Sequence, residues 1–214
     1  MAAAFDNDVI LKAACYGLLT RFVAMVPADL QETGYLGAAP FVTRARLTRI
    51  VLTKRAEDVH GCLQKFFETA VALEPTPDEA RVAAEIEFSA QHQNLQLDVG
   101  ESLLCAIVAC RGINTLATGD KRAISAMELL LPSERRLADL IGKAICFEQL
   151  ALRAMEQFGA GEIRQRVCGE IAVDKALAIA FECASQNASD DAGTAGLKSY
   201  IDDLRKVATT LLAT

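Results

Sequence analysis

Four stretches of the first ninety residues, Asp8–Leu19, Phe41–Leu52, Glu57–Leu73 and Asp78–Ser89, repeat apolar residues at helical spacing. Pro75 and Pro77 separate the last two, and Asp78 supplies an acid to a first turn. The pattern changes after Leu95. A short apolar run, Leu95-Gln96-Leu97, precedes Asp98 and Glu101; Ser102 to Cys110 then carries no charge, and Gly112 leads into Ile113 to Thr118. That succession predicts β-α-β, with a helix covered on most of its surface and a crossover long enough for parallel pairing. Lys143 to Phe147 predicts a further strand and Ala2 to Phe5 a first one, although alanine is a poor strand former. Lys121 to Leu131 reads as a helix, as do 148–158, 162–185 and 197–212. Ser185 to Gly196, rich in Ser, Ala, Asp and Gly, reads as a loop before the last of these.

The expected fold is therefore α/β: a short parallel sheet flanked by helices over residues 1–150, with a helical extension over 151–214. Ile171, Val173, Leu177, Ile179 and Phe181 exceed what one helix face needs. The extension is expected to pack on the core or on a second copy, making a homodimer.

Composition sharpens this picture. With 214 residues, 52% hydrophobic, no tryptophan and few aromatics, the core must come from Leu, Ile, Val and many alanines. The first residues hold no cationic leader, and Lys12 and Arg21 interrupt the apolar stretch behind them, so a cytoplasmic chain with no membrane span is expected. Seven cysteines at 15, 62, 105, 110, 146, 168 and 183 form no C-x-x-C pair and read as reduced core residues. Asn187-Ala188-Ser189 matches a glycosylation sequon that, without a secretory route, reads as chance. His60 and His92 have no cysteine at ligand spacing, which argues against zinc. No P-loop, G-x-G-x-x-G or nucleophile elbow is present.

The net charge of −6 excludes a protein that coats nucleic acid by bulk electrostatics. A local basic run remains: Arg44, Arg46, Arg49, Lys54 and Arg55 lie in a stretch without acids. Its plainest reading is a solvated helix face, because the cations spread around the wheel.

Acids fall at corresponding places after the expected strands: Asp6 and Asp8, then Asp98 and Glu101, then Asp120. In a parallel sheet these are carboxyl ends, where open α/β folds gather ligands. Clustered carboxylates repel one another, and Mg²⁺ or Mn²⁺ relieves that repulsion and can activate a water. Each acid also has a structural explanation as a helix cap, Asp98 with Glu101 at capping-box spacing.

Phe5-Asp6-Asn7-Asp8-Val9-Ile10 resembles the opening of PIN domains, as do Gly100-Glu101-Ser102 and Leu116-Ala117-Thr118-Gly119-Asp120-Lys121 the later acidic helix start and terminal turn of that family. The resemblance covers roughly residues 3 to 150, with a gap in the middle. It implies a metal-dependent ribonuclease, often a toxin partnered by an antitoxin protein, with Asp6, Glu101 and Asp120 at the matching acidic positions as catalytic residues and metal ligands, and Asp98 as a substitute for a further acid in the metal set. RNA would then meet Arg44, Arg46, Arg49 and Lys121. The chain departs from the family where a further acid is common, since Phe41 to Arg55 is basic. Two rivals stand beside this reading. One is a PIN-like scaffold that has lost its metal and binds a partner. The other is a haloacid dehalogenase-type phosphatase using Asp6 and Asp8, with Lys121 or Lys175 and Asp190-Asp191 in its other roles.

Overall fold

A computed structural model describes residues 1–26, 30–185 and 189–214, apart from the side chains of 190–192. Five short strands, β1 (Ala3–Phe5), β2 (Thr33–Leu36), β3 (Val71–Leu73), β4 (Thr115–Thr118) and β5 (Ala144–Cys146), make one sheet in the order β3-β2-β1-β4-β5. Every pairing is parallel. The alternation of side chains along a strand divides the core in two. Ala3, Phe5, Ala117 and Ile145 face one cluster, and Ala4, Leu116, Ala144 and Cys146 face the other.

The first cluster is closed by α1 (Asn7–Cys15), α2 (Leu19–Ala24), α3 (Ala39–Leu47), α4 (Asp58–Thr69), α8 (Phe147–Phe158), α9 (Ala160–Cys168) and α10 (Lys175–Ala180). The second is closed by α5 (Pro77–His92), α6 (Val99–Arg111), α7 (Lys121–Leu130) and the end of α11 (Asp190–Val207). The run from Ser102 to Cys110 within α6 is uncharged because seven of its residues are buried. The helix α11 joins the two layers: Leu197 packs in the first cluster, Ile201 and Leu204 in the second. Beyond it, residues 210–213 run beside β5. Ala144 donates to the Leu211 carbonyl at 3.0 Å, and Ala213 donates to the Ala144 carbonyl at 2.7 Å. Glu128 holds this tail through the Thr210 and Leu211 amides.

Several expectations need correction. Leu95-Gln96-Leu97 is no strand: β1 is flanked by β2 and β4, and β4 by β1 and β5, so the sheet has no place beside them. Leu97 is instead a buried anchor leading into α6. The expected helix Glu57–Leu73 ends at Thr69 and gives way to β3, while β2 was not foreseen. The expected helix 162–185 is broken into α9 and α10, the second started by Asp174, whose side chain accepts from the Leu177 amide at 3.1 Å. The loop expected over Ser185–Gly196 is already helical from Asp190, and Asn187 and Ala188 of the sequon lie outside the described residues. Cys168 and Cys183, expected to be reduced, are joined by a disulfide; the other five cysteines are free. Of the apolar residues in the extension, Leu177 and Phe181 are buried, whereas Ile171 and Ile179 are exposed. No helix among the described residues is long and apolar enough to cross a membrane.

Candidate functional site

The strand order places a topological switch between β1 and β4, where the chain leaves in opposite directions. Both strands end in a helix cap. Asp6 follows β1 and caps α1 by accepting from the Asp8 amide at 3.2 Å. Its own amide donates to Ala117 of β4 at 2.9 Å, which fixes it over the switch. Asp120 follows β4 and caps α7, accepting at Oδ1 from the amides of Arg122 (2.8 Å) and Ala123 (3.4 Å).

Asp98 and Glu101 reach the same edge differently. The helix α6 must deliver the chain to the start of β4, so its own N-terminus stands at the carboxyl edge of the sheet. There the two acids form a capping box: Glu101 N–H donates to Asp98 Oδ1 and Asp98 N–H donates to Glu101 Oε2, both at 2.8 Å. The capping and cleft roles thus coexist, because a cap uses only part of each carboxylate.

Asp6, Asp8, Asp98, Glu101 and Asp120 line one cleft of about 910 Å³, together with Lys12, Arg46, Lys121 and Arg122. Gly119 lets the walls approach, since a Cβ there would collide with the Asp8 carboxylate. Of the expected RNA contacts, Arg46 and Lys121 line this cleft; Arg44 and Arg49 do not and are exposed elsewhere along the α3 region.

The electrostatics separate the acids into two kinds. Burial, reinforced by Asp8 and also by Asp98, pushes Asp6 up to about 6. Burial, with repulsion from Asp98, Asp120 and Asp6, pushes Glu101 up to about 8 against the favourable Asp98 amide. Asp120 is opposite: burial would raise it, but hydrogen bonds and charge from Arg122 outweigh burial and hold it low. Asp8 is bracketed by Lys12 at 2.7 Å and Arg46 at 2.9 Å. Lys12 reaches on to Asp174 at 2.6 Å.

The structure brings the expected ligand set of Asp6, Asp98, Glu101 and Asp120 to one cleft without assembling it into a preformed metal site. These side chains line one cleft, yet no group of three His, Cys, Asp or Glu residues among the described residues is arranged to hold a metal ion. The reason is prior commitment: Asp120 is clasped by Arg122, and Asp98 and Glu101 are turned toward each other's amides. The donor chemistry itself suits a hard cation. Burial and neighbouring carboxylates raise both Asp6 and Glu101, and a hard cation between them would relieve that repulsion.

Sequence reasoning missed three participants. Lys12 pairs with Asp8 one helical turn away, a spacing visible in the sequence. Arg122 folds back on the acid two residues before it, which helical spacing does not suggest. Glu148 is buried just beyond β5 and takes Lys121 Nζ at 2.6 Å; the strand-end rule applied to Asp6 and Asp120 would have found it. Tyr200 of α11 lies under the same ammonium, 4.3 Å from Nζ to the ring centre. Asp190 and Asp191 open α11, but their side chains lie outside what the structure describes. Comparison of the chain with protein-family models, with curated proteins and with solved structures returns no match.

Proposed function

We propose that the chain is a Mg²⁺- or Mn²⁺-dependent endoribonuclease of the PIN type. The observation that carries this reading is the convergence of Asp6, Glu101 and Asp120, from three separate segments, in one cleft at the β1/β4 switch. Asp6, Glu101 and Asp120 would hold the ion, with Asp98 beside them. A divalent ion there lowers the pKa of a bound water and neutralises charge on a phosphodiester. The protein supplies the rest. Arg46 and Lys121 put cations on the cleft wall, where they suit backbone phosphates. Lys121 is positioned for this by Glu148 and Tyr200. Glu101, with its pKa near 8, keeps its proton at neutral pH until positive charge arrives, so loading the cleft releases a proton.

A second reading is favoured by the cations already on the acids: a PIN-like scaffold that binds a protein partner and has surrendered the metal. The phosphatase alternative is weaker, because Asp8, its acid/base, spends both oxygens on Lys12 and Arg46.

The test compares wild type with Asp120→Asn for cleavage of a mixed RNA pool and for stabilisation by Mn²⁺. Asparagine can still accept the backbone N–H bonds at the start of α7, so the fold is expected to survive. Cleavage is expected to fall by roughly two orders of magnitude or more, since the charge that binds the ion is gone. A wild type that gains no stability from Mn²⁺ and cleaves nothing leaves the scaffold reading standing.

A further inference from the structure

The clasp on Asp120 differs from the other ion pairs of the cleft. Arg122 Nη2 meets Asp120 Oδ2 at 2.8 Å and Nε meets Oδ1 at 3.2 Å, so the guanidinium forks across both oxygens. Its remaining Nη1 donates to Gln96 Oε1 at 3.0 Å, from the connection that leads into α6. The arginine is thus held from two sides. Its own side chain is 71% exposed, whereas that of Asp120 is 26% exposed. An exposed arginine leaves at little cost, because solvent takes over its hydrogen bonds.

Without Arg122 the carboxylate changes character. Oδ1 remains on the two amides that start α7, and Oδ2 loses its only hydrogen-bond donor among the described residues. Lys12 and Arg46 do not have this effect, since Lys12 pairs with Asp8 and Asp174 and Arg46 with Asp8. The guanidinium and a divalent ion therefore compete for the same oxygen.

We infer that Arg122 is an intramolecular competitor of the divalent ion, holding Asp120 Oδ2 so that the metal-competent cleft is the minor form. The inference rests on the metal reading above and adds its regulation. Apparent affinity falls by the fraction of molecules in which the arginine has swung away. A partly exposed pair of this kind sets that fraction at roughly two in five to one in six. An anion that attracts Arg122, such as an RNA phosphate, would free Asp120 and strengthen metal binding, and by reciprocity the metal would strengthen RNA binding.

The experiment is calorimetric titration of the full chain with Mn²⁺ alone, comparing wild type, Arg122→Gln and Gln96→Ala. Arg122→Gln is expected to tighten Mn²⁺ binding roughly two- to sixfold, and Gln96→Ala to shift it the same way by less, while the metal-free melting temperatures stay together. Gln96→Ala leaves every acid and cation of the cleft in place and decides the matter if the arginine variant does not fold. Mn²⁺ binding by Arg122→Gln where wild type shows none also supports the inference. Equal or weaker binding by Arg122→Gln, with wild type binding Mn²⁺, overturns the competition and leaves the metal reading intact. Folded wild type and variants that all ignore millimolar Mn²⁺ overturn both.

Discussion

Replacing Asp6 with asparagine is expected to stabilise the metal-free protein, and the size of the gain follows from its surroundings. Burial and the neighbouring Asp8 raise the carboxyl from 3.8 to about 6. At about 1.4 kcal/mol per unit, keeping it ionised in the folded state costs about 3 kcal/mol above pH 6. Asparagine carries no charge and can still cap α1, but its buried amide needs solvation, so a net gain of about 2 kcal/mol is expected. For a chain of this size that is roughly 4 to 8 °C in melting temperature. The sign depends on pH in a defined way. Below about pH 4 the carboxyl is protonated whether folded or unfolded, and the two proteins differ little. Between about 4 and 6 the unfolded chain ionises first, so wild type loses stability as pH rises and Asp6→Asn does not. Thermal and urea melts at pH 4.5 and 8 in the presence of EDTA measure this directly. An Asp6→Asn protein no more stable than wild type at pH 8 would refute the idea that the cleft stores carboxylate repulsion.

The disulfide and the buried acid beside it give two more expectations. Cys168–Cys183 spans 15 residues, and removing the bridge by reduction or by a double Cys→Ser change is expected to cost about 3 kcal/mol, read from urea midpoints. Alkylation of the unreduced, denatured chain should label five of the seven cysteines; seven would show that the bridge does not form. Glu170, almost fully buried, accepts from the amides of Thr53, Lys54 and Arg55 at 2.6 to 2.7 Å. Glu170→Ala leaves three amides unpaired and is expected to cost about 3 kcal/mol or more, with faster amide exchange at 53–55; unchanged exchange there would contradict it.

How much of this was visible in the sequence depends on element length. The uncharged run through α6 and the apolar strands β4 and β5 announce themselves, because burial on both faces leaves no room for polar residues. The strands β2 and β3, four and three residues long, offer no periodicity to detect, and Val71-Ala72-Leu73 continues the apolar rhythm of α4. The break between α9 and α10 turns on Glu170, which folds away to residues far earlier in the chain, so local pattern could not reveal it. At the site, strand ends led to Asp6 and Asp120 because chain direction fixes where a parallel strand stops. Asp98 and Glu101 reach that edge by a route other than the one expected, at the start of a helix and not after a strand. The cations were harder: Arg46 meets Asp8 across 38 residues, a pairing that only the packing of α3 on α1 creates.

The sheet is unequally protected at its two sides. Residues 210–213 lie along β5 and pair both backbone groups of Ala144, with Glu128 as their latch. On the far side β3 pairs only with β2 among the described residues, and Val71 there is 38% exposed. A strand from another molecule seeking unpaired backbone thus meets a closed border at one end and a three-residue opening at the other. The shortness of β3 limits what can be templated there, so the exposure to aggregation is governed by the opposite border, which stays shut only while the latch holds.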